Sequence, residues 1–429
     1  TVVTGARGFI GRNLIAHLKR QEEVQVFGFD LGQPLQELAA ALAEAELVFH
    51  LAGVNRPESV EEFTTGNVDF TAQVCEMLKK TGRPVPVVLS SSSQVERDNP
   101  YGRSKLQAEA VIKRYAEETG APAIIYRLKN VFGTWCRPNY NSVVATFCYN
   151  IAHDLPITLS DPARELELVH VDDVVQAWGA EIRSQKSEGR SQKSEGRDQR
   201  TEDRDQRSEG RDGGVVYREV EPAYCVTLGK LAELIRSFRD MRETLMLPDL
   251  GDPFTRKLYG TYLSYLETDA FAYDLTQRCD PRGCLAEFIK SPSAGQIFIS
   301  TTKPGVTRGG HYHHTKAEKF LVLQGEAVIR FRSIEEGRGQ RTEGRDQRSE
   351  DRGQRAEVIE YRVSGRDFRV VDIPPGYTHT ITNIGEGELV TLFWASEIFD
   401  AERPDTEIED RGQRSEVRSQ RTEDREQRA

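Results

Sequence analysis

The sequence predicts two domains in succession, a doubly wound α/β domain at 1–270 and an all-β barrel at 271–408. Residues 1–180 alternate short β-branched runs with helical patterns, which is typical of a parallel sheet covered on both faces. From about residue 271, short strand-like runs are broken by glycine and proline, as in an antiparallel barrel. The chain has 429 residues, which exceeds one ordinary hydrophobic core.

The apolar runs of the first domain follow one another as repeated strand–helix units. The first strand, at 2–4, leads into a glycine-rich loop and a helix from Asn13 to Lys19. Further strands are predicted at 24–30, 47–51, 85–91 and 124–127. Residues 225–268 carry leucines at helical spacing and are predicted to form a separate helical lobe.

Three segments, at 183–214, 337–355 and 410–429, share a polar seven-residue unit that interrupts this order. No position of the unit is apolar, so a coiled coil would have no seam to bury. Without hydrophobic gain to offset chain entropy, we expect two disordered insertions and a disordered tail. The middle segment separates two predicted neighbouring strands, where a long loop is tolerated because closure cost grows only logarithmically.

Composition excludes several classes of protein. A net charge of -10 argues against a general nucleic-acid or membrane-surface role. No apolar run is long enough to span a bilayer, and a strand at the start of the chain leads us to expect no signal peptide. The six cysteines include no CxxC pair, and we expect them to be reduced in a cytoplasmic setting.

A glycine pattern, Gly5-x2-Gly8-x2-Gly11, follows the first strand and opens a helix. Such spacing lets backbone N–H groups approach a pyrophosphate at the helix N-terminus. Asp30 ends the second strand, where a carboxylate can bind ribose hydroxyls. The residues predicted to contact a dinucleotide are Gly5, Arg7, Gly8, Phe9, Ile10, Gly11, Asp30, Leu51, Ala52, Gly53, Tyr101 and Lys105.

Tyr101 and Lys105 follow a run of four serines that ends an apolar strand. Their i, i+4 spacing places them on one helix face. We expect the ammonium to lower the pKa of the phenol from about 10 toward neutrality, so that the phenol transfers the alcohol proton during hydride transfer. A serine hydroxyl would hold the substrate oxygen. The alternative is an exposed tyrosine on a charged helix.

These motifs resemble those of the extended short-chain dehydrogenase/reductases. The resemblance implies a Rossmann sheet with a small C-terminal substrate lobe, in which Tyr101 is the acid, Lys105 its partner and Ser92 the third catalytic residue. Sugar 4,6-dehydratases of this family carry an Asp-Glu pair after the catalytic hydroxyl. Ser93 and Gln94 stand there instead, so simple reduction or oxidation is favoured.

A second set of chemistry-bearing residues lies in the predicted barrel. His311 and His313 alternate on one face of a predicted strand, Glu318 follows, and His379 lies in a Pro-x-Gly-x2-His motif. Imidazoles and a carboxylate suit zinc, iron or manganese and leave a position open for substrate or water. The pattern resembles the cupin family, a small β-barrel with its metal inside. His314 is expected on the opposite strand face, outside the ligand set.

Outside the repeats, the chain resembles a family of bifunctional enzymes of capsular and O-antigen polysaccharide synthesis that make UDP-2-acetamido-2,6-dideoxy-L-talose. The runs that carry the resemblance include 136–142 and 311–316. It implies that the cupin epimerises C3 of a UDP-linked 4-keto-6-deoxy amino sugar and that the first domain then reduces the C4 ketone. It also implies NADP(H), zinc and a homodimer.

Several alternatives stay open. Asp30 would repel a 2′-phosphate, although Arg7 or Arg12 could hold one, so NAD(H) remains an alternative to NADP(H), as do other divalent metals to zinc. Tyr377 and His314 are the candidates for proton transfer in the barrel. Two other functions compete: a single-activity 4-keto-sugar reductase with a non-catalytic cupin, and a cupin sensor fused to a degenerate reductase. The intact serine, tyrosine and lysine argue against the second.

Overall fold

The computed structural model of the chain describes residues 1–194, 211–212, 214–334 and 358–408. These residues divide into two compact units. The first comprises Thr1–Arg239 and Leu250–Phe271, and the second comprises Asp240–Asp249 and the described residues from Ala272 onward. Within these ranges, no helix combines the length and the apolar character that crossing a membrane requires.

Strands and helices alternate through the first unit. Its strands are β1 (Val2–Thr4), β2 (Phe27–Phe29), β3 (Val48–His50), β4 (Val87–Ser92), β5 (Ala123–Leu128), β6 (Asn130–Phe132), β7 (Glu165–His170), β8 (Arg211–Asp212), β9 (Val215–Arg218) and β10 (Tyr224–Thr227). The helices of the chain are α1 (Phe9–Leu18), α2 (Leu35–Glu44), α3 (Glu61–Phe63), α4 (Phe70–Lys80), α5 (Pro100–Thr119), α6 (Val143–Ala152), α7 (Val171–Ser194), α8 (Leu228–Thr244) and α9 (Pro253–Leu263).

The main sheet of this unit has the order β2-β1-β3-β4-β5-β9-β8, and all its strand pairs are parallel except β8 with β9. The predicted α/β fold with a Rossmann-type parallel sheet is therefore confirmed. Because β1 lies between β2 and β3, the chain reverses its direction of travel across the sheet at β1. Ligands of such sheets bind beyond the carboxyl ends of the strands at this switch point.

Helices cover both faces of the sheet. On one face α2, α4 and α5 bury Leu38, Leu78 and Ile112 in a core with the inward side chains of the strands. On the other face α1 and α7 bury Leu14 and Trp178. Strands that are buried on both faces do not alternate between buried and exposed residues, and every residue of β1 and β3 is buried.

A smaller lobe completes the first unit. The three-stranded sheet β10-β7-β6 packs with α6, α8 and α9 around a separate apolar core that includes Phe132, Leu231 and Tyr262. The sequence predicted only helices from residue 225, but Tyr224–Thr227 is a strand paired antiparallel with Glu165–His170. Four residues give too short a pattern to distinguish a strand from the start of a helix.

The structure covers only part of the predicted repeat segments, because 337–355 and 410–429 lie outside the described residues. Where the sequence predicted disorder from Arg183, α7 continues to Ser194. Glutamine, lysine, glutamate and arginine are good helix formers, and no proline interrupts them before Ser194. A helix anchored by its packed first turns can therefore propagate into the polar repeat, because each further residue adds a hydrogen bond.

The second unit is built from antiparallel strands. They are β11 (Gln277–Asp280), β12 (Gly283–Ser291), β13 (Gly295–Thr302), β14 (Thr307–Tyr312), β15 (Glu318–Gln324), β16 (Glu326–Ser333), β17 (Ile359–Ser364), β18 (Val370–Ile373), β19 (Tyr377–Asn383), β20 (Leu389–Ala395) and β21 (Glu407–Ile408). They form two sheets, β11-β12-β13-β20-β15-β18 and β17-β16-β19-β14-β21.

The two sheets share one apolar core, to which both contribute aromatic residues such as Phe331 and Phe393. The predicted all-β, cupin-like fold is therefore confirmed. β16 and β17 pair along their lengths, so the strands on either side of the middle repeat segment are neighbours, as predicted. β15 lies in the first of these sheets, and β14 and β19 lie in the second. These three strands carry the predicted metal ligands or end next to them.

The first hairpin of the second unit carries a disulfide bond between Cys279 and Cys284. The sequence led us to expect reduced cysteines, and a search for CxxC pairs does not find this one. The hairpin brings the two residues directly opposite each other on β11 and β12. Cross-strand neighbours of this kind are close enough for a disulfide although five positions separate them in the chain.

Candidate active site and metal centre

A cleft of about 1930 Å³ opens in the first unit, and loops that follow the main-sheet strands line part of it. Every residue predicted to contact a dinucleotide lines this cleft, and so do Ser92, Tyr101 and Lys105. Residues missed by the sequence reasoning also line it, among them Trp135, Arg137, Tyr140 and Arg164. The cleft therefore unites the glycine loop and the hydroxyl-bearing residues in one cavity.

The glycine spacing has a steric cause. Gly5 has a φ of 68°, and a Cβ there would lie 2.8 Å from the backbone nitrogen of Ala52. A Cβ at Gly11 would lie 2.1 Å from the carbonyl oxygen of Gly5. Helix α1 begins at Phe9, earlier than the predicted Asn13, because Gly8 already serves as its N-cap. Its free N–H groups therefore lie directly behind the loop, as anion binding requires.

A buried histidine holds the neighbouring loop at the end of β3. The Nδ1 of His50 lies 2.8 Å from the hydroxyl of Thr4, which accepts hydrogen bonds from the N–H groups of Leu51 and Ala52. The Nε2 of His50 lies 2.9 Å from the hydroxyl of Thr71. Burial, with a smaller contribution from the Lys105 charge, lowers the pKa of His50 to about 3, so the ring is neutral at pH 7.

Asp30 occupies the end of β2, opposite the glycine loop. Its Oδ2 accepts the N–H of Arg7 at 2.5 Å, and its Oδ1 accepts the N–H of Leu31 at 2.8 Å. These bonds fix the carboxylate at the mouth of the loop. The guanidinium of Arg12 lies 4.8 Å from the ring centroid of Trp135, an arrangement that favours a cation–π contact.

The first turn of α5 presents Tyr101 to the cleft. Asn99 caps this helix by accepting the N–H of Gly102 at 2.8 Å, and a proline stands at the first helical position. Ser92 lies near enough to the phenol of Tyr101 for its hydroxyl to favour the phenolate. The Nζ of Lys105 lies 5.9 Å from the centre of the Tyr101 ring and donates to the carbonyl of Ser90 at 3.1 Å.

The protonation equilibria of this pair differ from the expectation. Burial lowers the pKa of Lys105 to about 8, with partial opposition from Glu109. Burial raises the pKa of Tyr101, and the hydrogen bond to Ser92 only partly offsets this. The sequence predicted a lowered phenol pKa. Desolvation of the phenolate is the larger effect here.

An ion pair behind the predicted catalytic residues was missed by the sequence reasoning. Glu109, which is 2% exposed, lies one helical turn after Lys105 and accepts two hydrogen bonds from Arg127, at 3.1 and 2.7 Å. The hydroxyl of Ser91 donates to the same carboxylate at 2.5 Å. Glu109 thereby ties α5 to the ends of β4 and β5. The i, i+4 spacing from Lys105 is the only local signal that could have indicated it.

The second unit brings the four predicted metal ligands together. One ligand atom from each of His311, His313, Glu318 and His379 lies within 4.8 Å of the others. The Nε2 atoms of His313 and His379 each lie 3.4 Å from a carboxylate oxygen of Glu318. Burial, together with smaller contributions from the neighbouring charges, lowers the pKa of His311 to about 3. A neutral imidazole is the form that binds metal.

The hydrogen bonds of these rings test whether the donors fit a cation. The Nδ1 of His313 bonds to the carbonyl of Asp405, and the Nδ1 of His379 lies 3.3 Å from the carbonyl of Tyr377. These carbonyls can only accept, so each ring carries its proton on Nδ1. In the described part of the chain, the buried Nε2 atoms of both rings have no hydrogen-bond partner. Two such lone pairs beside a carboxylate fit a divalent cation.

The other predicted barrel residues lie outside this cluster. His314 is exposed, its N–H donates to Asp405 at 2.9 Å, and its ring lies 5.3 Å from that of Tyr312. It is absent from the ligand set, in agreement with the expectation. Tyr377 contributes its carbonyl oxygen to His379, and its ring lies edge-on to Phe331.

Comparisons with known proteins match both units. Residues 1–191 match the NAD dependent epimerase/dehydratase family, and residues 278–350 and 342–407 match the polysaccharide biosynthesis C-terminal domain. The chain is 40% identical over 405 residues to the UDP-2-acetamido-2,6-beta-L-arabino-hexul-4-ose reductase of Pseudomonas aeruginosa strain PA103, a match that covers 94% of this chain and 97% of that protein.

Solved structures agree along nearly the whole length. The capsular polysaccharide assembling protein CapF from Staphylococcus aureus is 42% identical, has a TM-score of 0.77, and is matched over 95% of this chain and 98% of that one. CapF with the inhibitor 3-isopropenyl-tropolone is 38% identical over the same shares, with a TM-score of 0.73.

Proposed function

Because this chain belongs to the family of the UDP-2-acetamido-2,6-beta-L-arabino-hexul-4-ose reductase, we propose that it is a bifunctional nucleotide-sugar enzyme. Its second unit epimerises C3 of a UDP-4-keto-2-acetamido-2,6-dideoxy-hexose. Its first unit then reduces the C4 ketone with NAD(P)H, in the synthesis of a capsular or O-antigen polysaccharide precursor. The observation that carries the reductase assignment is that Ser92, Tyr101 and Lys105 line the same cleft as the glycine loop.

The residues of the cleft divide the work of reduction. A nicotinamide bound in the cleft would supply the hydride for C4. Ser92 binds the ketone oxygen, and Tyr101 donates the proton that converts the developing alkoxide to the alcohol, which leaves Tyr101 as the phenolate. A raised phenol pKa keeps Tyr101 protonated and ready to act as the acid. The ammonium of Lys105 adds positive charge on the same side of the cleft, which favours the developing negative charge.

We propose NADP(H) as the preferred nucleotide, with NAD(H) as the alternative. The Asp30 carboxylate suits ribose hydroxyls, but it already accepts two backbone N–H groups. Arg12 is engaged with Trp135, whereas Arg7 lies on the loop that donates to Asp30. Arg7 is therefore our candidate for holding a 2′-phosphate.

The barrel would perform the epimerisation. His311, His313, Glu318 and His379 would hold a divalent cation, for which zinc is our proposal. Such an ion polarises a carbonyl group and makes the adjacent C–H more acidic. Tyr377 and His314 remain our candidates for moving the C3 proton.

Solvent exchange tests the two activities separately. The zinc-loaded protein is incubated with the UDP-4-keto sugar in deuterated water without nicotinamide. Deuterium at C3 supports epimerisation, and its absence leaves a single-activity reductase. Addition of NADPH should then consume the ketone. Intact exchange without any reduction would contradict the reductase assignment and favour a cupin fused to an inactive first domain.

A further inference from the structure

A short segment near the end of the described chain, the C-terminal strap at 405–408, crosses the strand that carries the first metal ligand. Its last two residues form β21, which pairs antiparallel with β14. Ile408 lies opposite His311, and Glu407 lies opposite Tyr312. The strap is thus the edge strand of its sheet and covers the backbone of the ligand strand.

The strap begins with Asp405, whose side chain closes the turn between two metal ligands. Its carboxylate accepts the N–H groups of His314, Thr315 and Lys316 at 2.9, 2.7 and 2.8 Å. It also accepts the hydroxyl of Thr315 at 3.0 Å. Three consecutive N–H groups that converge on one carboxylate define the path of the turn from His313 toward Glu318.

The backbone of Asp405 acts on the ligand itself. Its carbonyl accepts the Nδ1–H of His313, which leaves Nε2 as the lone pair beside Glu318. A partner of this kind fixes the tautomer and the ring orientation of a ligating histidine. Asp405 therefore determines both the orientation of the His313 ring and the path of the chain from His313 to Glu318.

We propose that Asp405 is a positioning residue of the metal centre. Its carboxylate binds the backbone of the turn at 314–316, and this anchoring keeps the carbonyl group of Asp405 against the His313 ring. The proposal rests on the metal-binding part of the proposed function and on no property of the reductase cleft. It assigns to the strap a role in metal affinity and geometry in addition to its role in folding.

The test compares the full-length protein with Asp405→Ala and Asp405→Asn. Asp400→Ala is the matched control, because Asp400 lies in the same C-terminal region and its carboxylate accepts only the nearby N–H of Glu402 among the bonds of the described residues. Zinc affinity is measured by competition with a chromophoric chelator. Cobalt(II) substitution reports ligand geometry through its visible absorption.

Asp405→Ala should bind zinc about 10- to 100-fold more weakly and change the cobalt spectrum, as loss of an outer partner typically does. Asp405→Asn should fall between it and the wild type, because the amide oxygen still accepts N–H groups. If Asp405→Ala fails to fold, Asp405→Asn decides the matter. Wild-type affinity and spectrum in both variants would overturn this proposal alone. Absence of metal binding by the wild type would overturn the metal site and this proposal together.

Discussion

The reductase cleft and the metal centre differ in how their polar groups are satisfied. In the cleft, His50, Glu109 and Lys105 all have protein hydrogen-bond partners. In the barrel, the Nε2 atoms of His313 and His379 are buried without one among the residues that the structure describes. Unpaired buried polar atoms are costly, so a protein retains them where something else binds them. These three cleft residues are held by protein groups, whereas we propose that a cation completes the barrel site.

Removal of one predicted metal ligand should have the largest effect, and it should affect the barrel alone. His311→Ala should reduce zinc binding and C3 deuterium exchange to background, because three donors remain of four. Reduction of a ketone that is already epimerised should stay within about twofold of the wild type. His314→Ala is the control for zinc retention, since His314 lies outside the ligand set. If zinc-free His311→Ala still exchanged the C3 proton at the wild-type rate, the exchange would not depend on the metal.

A second substitution should impair reduction in the cleft and leave C3 exchange in the barrel intact. Tyr101→Phe should lower kcat for reduction by about 100- to 10,000-fold, the usual contribution of a general acid, while C3 exchange continues. Tyr115→Phe is the matched control: this tyrosine is buried on the same helix, and its hydroxyl donates to the Val85 carbonyl. Full reduction by Tyr101→Phe would assign the proton donor elsewhere.

Nucleotide preference sharpens the account of the cleft. Arg7→Ala should raise KM for NADPH about tenfold and leave KM for NADH nearly unchanged, since a charged hydrogen bond contributes about 1.5–3 kcal/mol. Asp30→Asn should act in the opposite sense and weaken NADH more than NADPH. Steady-state kinetics with both nucleotides measure this. Equal effects of Arg7→Ala on both would remove Arg7 from 2′-phosphate binding.

The smallest expected effect is the pH dependence of reduction. Burial sets the pKa of Lys105 at about 8, below its ordinary value, so its positive charge is present below that pH and is lost as pH rises through it. The rate of reduction should therefore fall to about half near pH 8. The rate of C3 exchange should show no such decrease. A reduction rate that is flat from pH 7 to 9.5 would show that the charge of Lys105 is not needed.

The sequence located those parts of both sites that depend on local spacing. Gly5 and Gly11 lie close together because one tight turn of the backbone connects them. Tyr101 and Lys105 are neighbours because they are one helical turn apart. The parallel sheet and the antiparallel barrel followed in the same way from the alternation of short runs.

The features that the sequence analysis missed depend on contacts between distant parts of the chain. Glu109 acts through Arg127, which belongs to another strand, and Asp405 acts on His313 across 92 positions. Neither carboxylate differs from a surface acid in the sequence. The pKa of Tyr101 was predicted in the wrong direction for a related reason: burial is a property of the folded chain, and here it outweighs the opposing effect of the Ser92 hydroxyl.

The central claim is that protons move at C3 in the barrel and a hydride moves to C4 in the cleft. One product analysis tests it: the zinc-loaded enzyme converts the UDP-4-keto sugar with unlabelled NADPH in deuterated water, and NMR reads the label at each carbon. The account predicts deuterium at C3 and protium at C4 in the same molecule. A product with protium at both carbons, or with solvent deuterium at C4, would contradict it.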